Sequence, residues 1–374
     1  MSLHAPLRPD RGRLKTETTL STLLLILVAA AVAYLGPDHP PSGRPELESD
    51  KPASPNDALA PGRGRHAQSP ANIPAKGWKD ILWRTYEQIN EDRLLAVAAG
   101  VVFYGLLALF PAITALVSSY ALLADAKTVN EHMAFLADFL PEGSFSIIQD
   151  QVSRVLSKGD MKLGGTFLAS LALAIWSANG GVKAIIDALN VVYDEKEKRG
   201  FLKLNAVSLA FTVAGVIGIL TAIGLVVAAP AILSMIGLKS STDLLIRFGR
   251  WPLLAMLLLF GLAVLYRYAP SRRSPKWRWI SVGSVVATIT WIIGSALLSY
   301  YLANFGHYDA TYGSLGAAIA LMVWMWMSTI VILFGAELNS EIEHQTLADS
   351  TSGAPKPLGM RGARMADTVG ASRT

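Results

Sequence analysis

Asn179, Lys183, Asp187 and Asn190 recur at i, i+4, i+8 and i+11, which places them on one face of a helix. The segment Trp176-Ser177-Ala178-Asn179-Gly180-Gly181-Val182-Lys183 closes a long apolar stretch, so this polar stripe enters or borders a membrane span. Ionisable groups at membrane depth are costly and mark pathways or binding clefts by default. Lys183 and Asp187 can pair in cis, and the stripe can line a water-filled path or a headgroup cleft. If the span ends near 182, Lys183 instead snorkels to the surface. Glu337 lies three residues after Phe334, near the end of the last apolar run. An acid there can pair with Lys183 or Arg267, or it can relay protons. The lack of a chain of carboxylates favours the ion pair. Arg267, with Arg272 and Arg273, adds a basic wall suited to anionic headgroups.

Other chemistries have little to stand on. With no cysteine, disulfides, thiol catalysis and cysteine-ligated metal are impossible. The six histidines, His4, His39, His66, His132, His307 and His344, never fall at metal-ligand spacing. No phosphate-cradling glycine loop and no nucleophile–base constellation can be named. We therefore expect no cofactor, no metal, no catalytic residue and no enzyme. A net charge of +5 suits nucleic acid or basic membrane loops, and the second reading fits the composition, so nucleic acid is not expected as a partner.

The elements that position these residues are long apolar helices. Hydrophobic residues make up 52% of the 374-residue chain and charged ones only 16%, against about 25% charged in soluble domains. Seven runs are long enough to cross a bilayer, near 19–36, 95–123, 163–182, 204–235, 251–269, 280–303 and 312–338. No alternating strand pattern appears. The fold expected is an all-α polytopic membrane bundle of six core transmembrane helices, with 19–36 as a candidate extra N-terminal one. Pro111 and Pro230 would kink their helices and free a carbonyl each. Gly180 and Gly181 cost helix propensity and so suggest close packing or local unwinding, and Gly313 and Gly316 present a small face for helix contact.

Around the core, 37–75 and 345–374 are polar and rich in Pro, Gly, Ser and charge, and read as disordered. The domains expected are thus 1–75, with the apolar segment and linker, the membrane domain 76–344, and the tail 345–374. Trp78, Leu82, Tyr86 and Ile89 form the apolar stripe of an amphipathic surface helix, with Lys79, Arg84, Glu87 and Glu91 on the other side. Two further short amphipathic helices are expected in 124–162. Segments 76–93, 186–203 and 267–279 hold 13 Lys/Arg in 49 residues, against 7 in 61 for the opposite loops, which puts both ends of the core in the cytoplasm. The first run disagrees: Arg8, Arg11, Arg13 and Lys15 should hold its start inside, which would export the linker. It inserts against its charges, lies in the interface, or is absent from the mature protein.

Phe103-Tyr104-Gly105-Leu106-Leu107-Ala108-Leu109-Phe110-Pro111 and Trp176-Ser177-Ala178-Asn179-Gly180 resemble the first two span signatures of the YihY/BrkB family of bacterial inner-membrane proteins. Tyr312-Gly313-Ser314-Leu315-Gly316 and Phe334-Gly335-Ala336-Glu337-Leu338-Asn339 are similar to that family's last span. The resemblance covers roughly 78–344. It implies six core helices in the inner membrane and a link to serum resistance or to envelope lipids. It implies no catalytic residues, and its old ribonuclease label finds no His/Asp cluster here. The function expected is transport or translocation of a lipid or other envelope component without intrinsic ATPase activity. The alternative is a non-catalytic membrane scaffold or envelope-assembly factor. Membrane lipid is the expected partner, with envelope proteins as further candidates.

Overall fold

In a computed structural model, the described residues are 61–123, 160–223, 225, 240–305 and 316–372. They form α1 (Ala75–Glu91), α2 (Leu94–Leu123), α3 (Asp160–Val192), α4 (Phe201–Ile223), α5 (Ser240–Tyr268), α6 (Trp277–Phe305), α7 (Gly316–His344) and the short α8 (Arg364–Asp367). A 3-10 turn, Pro70–Asn72, precedes α1. There is no strand among the described residues, only an isolated bridge between Pro275 and Thr351. The expected run 19–36 and the loop helices of 124–159 lie outside the described residues.

The six long helices α2–α7 match the six core runs. Four segments of described residues are apolar over a membrane-crossing length: Phe201–Ala222, Gly249–Tyr268, Trp277–Leu302 and Ala318–His344. Leu94–Ala108 is a shorter apolar segment of α2. Their outward faces carry large apolar side chains such as Phe103, Trp176, Ile217, Phe260 and Leu297, all exposed. In water such a surface would aggregate; in a bilayer it is the solvated surface. The chain is a polytopic all-α membrane protein.

Among the described residues the buried core gathers at one end of the bundle. Leu94 and Ala98 of α2, Ile186 and Leu189 of α3, Tyr266 of α5, Ile280 and Ala287 of α6, and Leu333 and Ala336 of α7 pack together there. The α6–α7 crossing is close because two glycines meet. A Cβ on Gly283 would collide with the Gly335 carbonyl, and one on Gly335 would sit 2.7 Å from the Ala287 Cβ. Asn339 then bridges the two backbones, accepting from Gly283 N at 2.8 Å and donating to Ile280 O at 3.2 Å. Small residues and amide bridges of this kind replace the hydrophobic effect as glue between helices in lipid.

Two expectations are corrected at this end. The tail, expected without structure, is folded over 345–372. Arg361 donates to Ala366 O at 2.6 Å and Leu347 O at 2.7 Å, and Ala363, Met365, Ala366 and Val369 are buried. Arg65 of the expected linker reaches Gly370 O at 2.7 Å, and Gln345 returns a bond to Arg63 O at 2.8 Å. Arginine forks saturating backbone carbonyls supply the order that low hydrophobicity withholds. Second, Arg84 on the polar side of α1 is not at the surface. The helix buries Asp80, Ile81, Arg84 and Thr85 and exposes Leu82, Trp83 and Tyr86. Its buried partner is the acidic end of α7, so charge complementarity sets the face, and the apolar side remains for the membrane interface.

Candidate functional site

The acidic end of α7 is the centre of the candidate site. Three acids, Glu337, Glu341 and Glu343, follow the apolar body of that helix, all essentially unexposed. Two are matched. Glu341 accepts from Arg84 Nε at 2.5 Å, and Arg84 also donates to Gln345 Oε1 at 2.8 Å and Ala371 O at 2.9 Å. Glu343 takes a two-pronged bond from Arg272 at 2.9 and 3.0 Å, and Ser350 donates to it as well. The Arg272 guanidinium lies 3.8 Å from the centre of the Tyr193 ring. Planar forks of this type are what make buried arginine–carboxylate pairs tolerable.

Glu337 is not matched. It is fully buried, and neither carboxyl oxygen has a hydrogen-bond partner among the described residues. Its strongest electrostatic neighbours are all acids: Asp92, Glu341, Asp194 and Glu91. Asp92 sits in the turn between α1 and α2 and is only partly buried. Burial, then Asp194, Glu91 and Glu341, push its carboxyl up to about 7. The sequence-based pairing of Glu337 with Lys183 or Arg267 is therefore corrected. The nearby cations are already taken by the other two acids of the same helix.

The other singled-out residues separate into three places. Lys183, half-buried on α3, donates to Asn205 Oδ1 of α4 at 2.7 Å, and it makes no salt bridge with Asp187, which is exposed. Asn179 keeps a buried Oδ1 without a partner among the described residues. Asn190 leaves the stripe: it accepts from Ser271 N at 2.7 Å and donates to Glu197 at 3.2 Å, tying the α3–α4 turn to the α5–α6 turn. Hydrogen bonds from Arg199 hold the Glu197 carboxyl down at about 2. Arg267 donates to the Pro275 carbonyl and stacks on Trp277 at 4.7 Å and Tyr268 at 5.2 Å. Gly180 and Gly181 lie in unbroken helix against Tyr104 and Gly105 of α2, so the two span signatures contact each other. Pro111 lies within α2, and Gly316 opens α7. Pro230 and Gly313 lie outside the described residues.

Sequence reasoning missed Arg84, Asp92, Tyr193, Gly283, Glu341 and Glu343. One signal was present: three acids ending an apolar helix require buried cations or protons.

A family model described as virulence factor BrkB matches residues 85–358, from within α1 into the first part of the tail. The chain belongs to the virulence factor BrkB family. A ribonuclease-like protein of Bacillus subtilis (strain 168), YfkH, is 32% identical over 251 residues, covering 65% of this chain and 88% of that protein. A UPF0761 membrane protein of Cronobacter sakazakii is 27% identical over 271 residues, covering 71% of this chain and 88% of its own. Another, from Tolumonas auensis, is 26% identical over 282 residues, with 72% and 86% covered. No solved structure matches the chain. The BrkB family name indicates no catalysis, and of these three relatives only YfkH carries a ribonuclease-like name. Among the described residues no group of three or more His, Asp or Glu could hold a metal ion.

Proposed function

We propose that this BrkB-family chain moves an anionic envelope lipid, or another anionic envelope component, across the bacterial inner membrane without hydrolysing ATP itself. The observation that carries this reading is Lys183. Its ammonium lies on a helix of the bundle, half-buried, with the neutral amide of Asn205 as its hydrogen-bond partner and no salt bridge among the described residues. A half-buried cation whose hydrogen-bond partner is a neutral amide, with the exposed Asp187 acting on it only through space, can take a visiting anion. The unpartnered Asn179 amide oxygen one turn earlier extends the same polar face. The Lys/Arg-rich turns and the folded tail gather at one end of the bundle, through bonds such as Lys198 N to Ser271 and Lys276 N to Ser350. We assign that end, with both ends of the six-helix core, to the cytoplasm. Arg267 and its neighbours there would attract anionic headgroups at about 1 kcal/mol per basic residue.

The test uses the purified full chain in vesicles of phosphatidylethanolamine and phosphatidylglycerol with a trace of fluorescent phosphatidylglycerol. Loss of the fluorescence to external dithionite reports transbilayer movement. Wild type should exceed protein-free vesicles, and Lys183→Ala should be slower. Equal rates in wild type, Lys183→Ala and Asp187→Ala would remove the stripe from the mechanism. No movement at all, with protein partners that co-purify stably, would favour a scaffold or assembly role instead.

A further inference from the structure

We infer that Glu337 is a proton-binding site, and that loss of its proton shifts the bundle towards a second conformation. The coupling half of this inference rests on the transport reading above; the proton site does not.

The geometry leaves little choice of ligand. Glu337 is 0% exposed, with both oxygens unpartnered among the described residues. An isolated carboxylate in low dielectric is strongly unfavourable, and the usual remedies are a cation, several donors or a proton. A metal would require further ligands, and the described residues contain no such group. Each element packed around Glu337 brings identifiable groups. The end of α1 brings Glu91 and Arg84, the latter committed to Glu341. The α1–α2 turn brings Asp92, with Arg93 exposed beside it. The end of α3 brings Tyr193 and Asp194, and Asp194 is bound to Arg364 at 2.5 Å. On α6 the contact face is Gly283, Ser284 and Ala287, without charge, and α5 brings the Tyr266 hydroxyl, committed to Ile332 O at 2.8 Å. On α7 itself Glu341 stands one turn on, with His344 at 3.7 Å from it. The α5–α6 turn brings Arg272, committed to Glu343.

Every buried cation near Glu337 thus has another acid, and a proton is what remains. Asp92, in the α1–α2 turn, is a partly exposed acid whose charge acts on Glu337. The transfer is simple. The O–H bond at Glu337 breaks and an O–H bond forms on a water oxygen, which carries the proton to bulk. The Glu337 carboxylate left behind has no partner in the present packing. It can be satisfied by admitting water, by the Tyr193 hydroxyl, which is buried without a hydrogen-bond partner among the described residues, or by taking Arg84 from Glu341, one helical turn away. Admitting water or taking Arg84 opens the α1–α7 contact, and that is the step by which the proton would be linked to the conformation.

The deciding experiment is infrared spectroscopy of the purified full chain in lipid nanodiscs, across a pH series. At pH 8 the wild type should show the C=O stretch of a protonated carboxylic acid in an apolar site, which Glu337→Gln lacks. Carboxyl-labelled ¹³C-glutamate in the wild type should shift that band, which assigns it to glutamate without any variant. A wild-type spectrum with no label-sensitive acid band at pH 8 would overturn the proton site. For coupling, fluorescent phosphatidylglycerol movement is measured in the vesicles described above, with and without an imposed pH gradient. Wild type should speed up at least about fivefold under the gradient, a difference of about 1 kcal/mol, while Glu337→Gln should not respond. A wild-type rate indifferent to the gradient would overturn the coupling. Absence of lipid movement in every sample would sink the transport reading while the infrared result still decides the proton site.

Discussion

Replacing Arg84 by methionine should be among the most damaging single changes at the α1–α7 contact. The Arg84 side chain is 7% exposed and its partner Glu341 1%, so the pair is desolvated and not a surface bridge. Methionine keeps most of the stem and removes the bonds to Glu341, Gln345 and Ala371. Most of the damage comes from the group left behind: the Glu341 carboxylate, buried, with only His344 at 3.7 Å to offset it. Stranding one member of a buried pair costs about 3–5 kcal/mol. Neutralising the stranded acid as well, in Arg84→Met/Glu341→Gln, should recover more than half of that loss. The assay is equilibrium unfolding in mixed detergent micelles, followed by tryptophan fluorescence, with Trp279 at 0% exposure as an internal reporter. A single-variant loss below about 1 kcal/mol would place the pair in the exposed class. A double variant as unstable as the single would mean that the stranded charge is not the source of the damage.

The same assay tests the remaining structural claims. Gly283→Ala should cost about 1–3 kcal/mol, because its Cβ meets the Gly335 backbone and Asn339. Gly215→Ala on α4, with nothing within 4 Å of the new methyl, should be neutral or stabilising. Asp92→Asn tests the electrostatics with a defined sign. The folded chain holds Asp92 at about 7, above its unfolded value near 3.9, so the wild type loses stability as pH rises between those values. The Asn variant should therefore show a higher Tm than wild type at pH 8 and no gain at pH 4. A gain that is equal at both pH values would remove Asp92's titration as the cause.

The six-helix core was legible because apolar runs of membrane length carry their own signal, and each of α2–α7 overlaps one of those runs. The partners made at the end of α3 were not. The apolar run stops near 182, but the helix continues to Val192, since Lys183, Asp187 and Asn190 are helix-compatible residues on a face that meets the turns. The stripe was real as spacing, but its residues bond in different places. Lys183 bonds to α4, Asp187 faces out, and Asn190 serves the turns. Arg84 was misread because amphipathicity assigns a charged face to water. Here its partner lies 257 residues away on another helix, and no local period encodes that. The tail was misread for a related reason: composition measures the supply of apolar surface, and this tail is held mainly by arginine-to-carbonyl bonds. Glu337 was found by type and depth. What spacing could not say is that Arg84 and Arg272 would be spent on Glu341 and Glu343.

The central claim, that this membrane bundle moves anionic lipid past Lys183, is tested most directly by charge reversal. Transbilayer movement of fluorescent phosphatidylglycerol and fluorescent phosphatidylcholine would be compared in vesicles carrying wild type, Lys183→Arg and Lys183→Glu. Lys183→Arg should stay near wild type. Lys183→Glu should lose about fivefold or more on the anionic probe alone, corresponding to about 1 kcal/mol of headgroup attraction. Equal rates for all three proteins on the anionic lipid would contradict the claim.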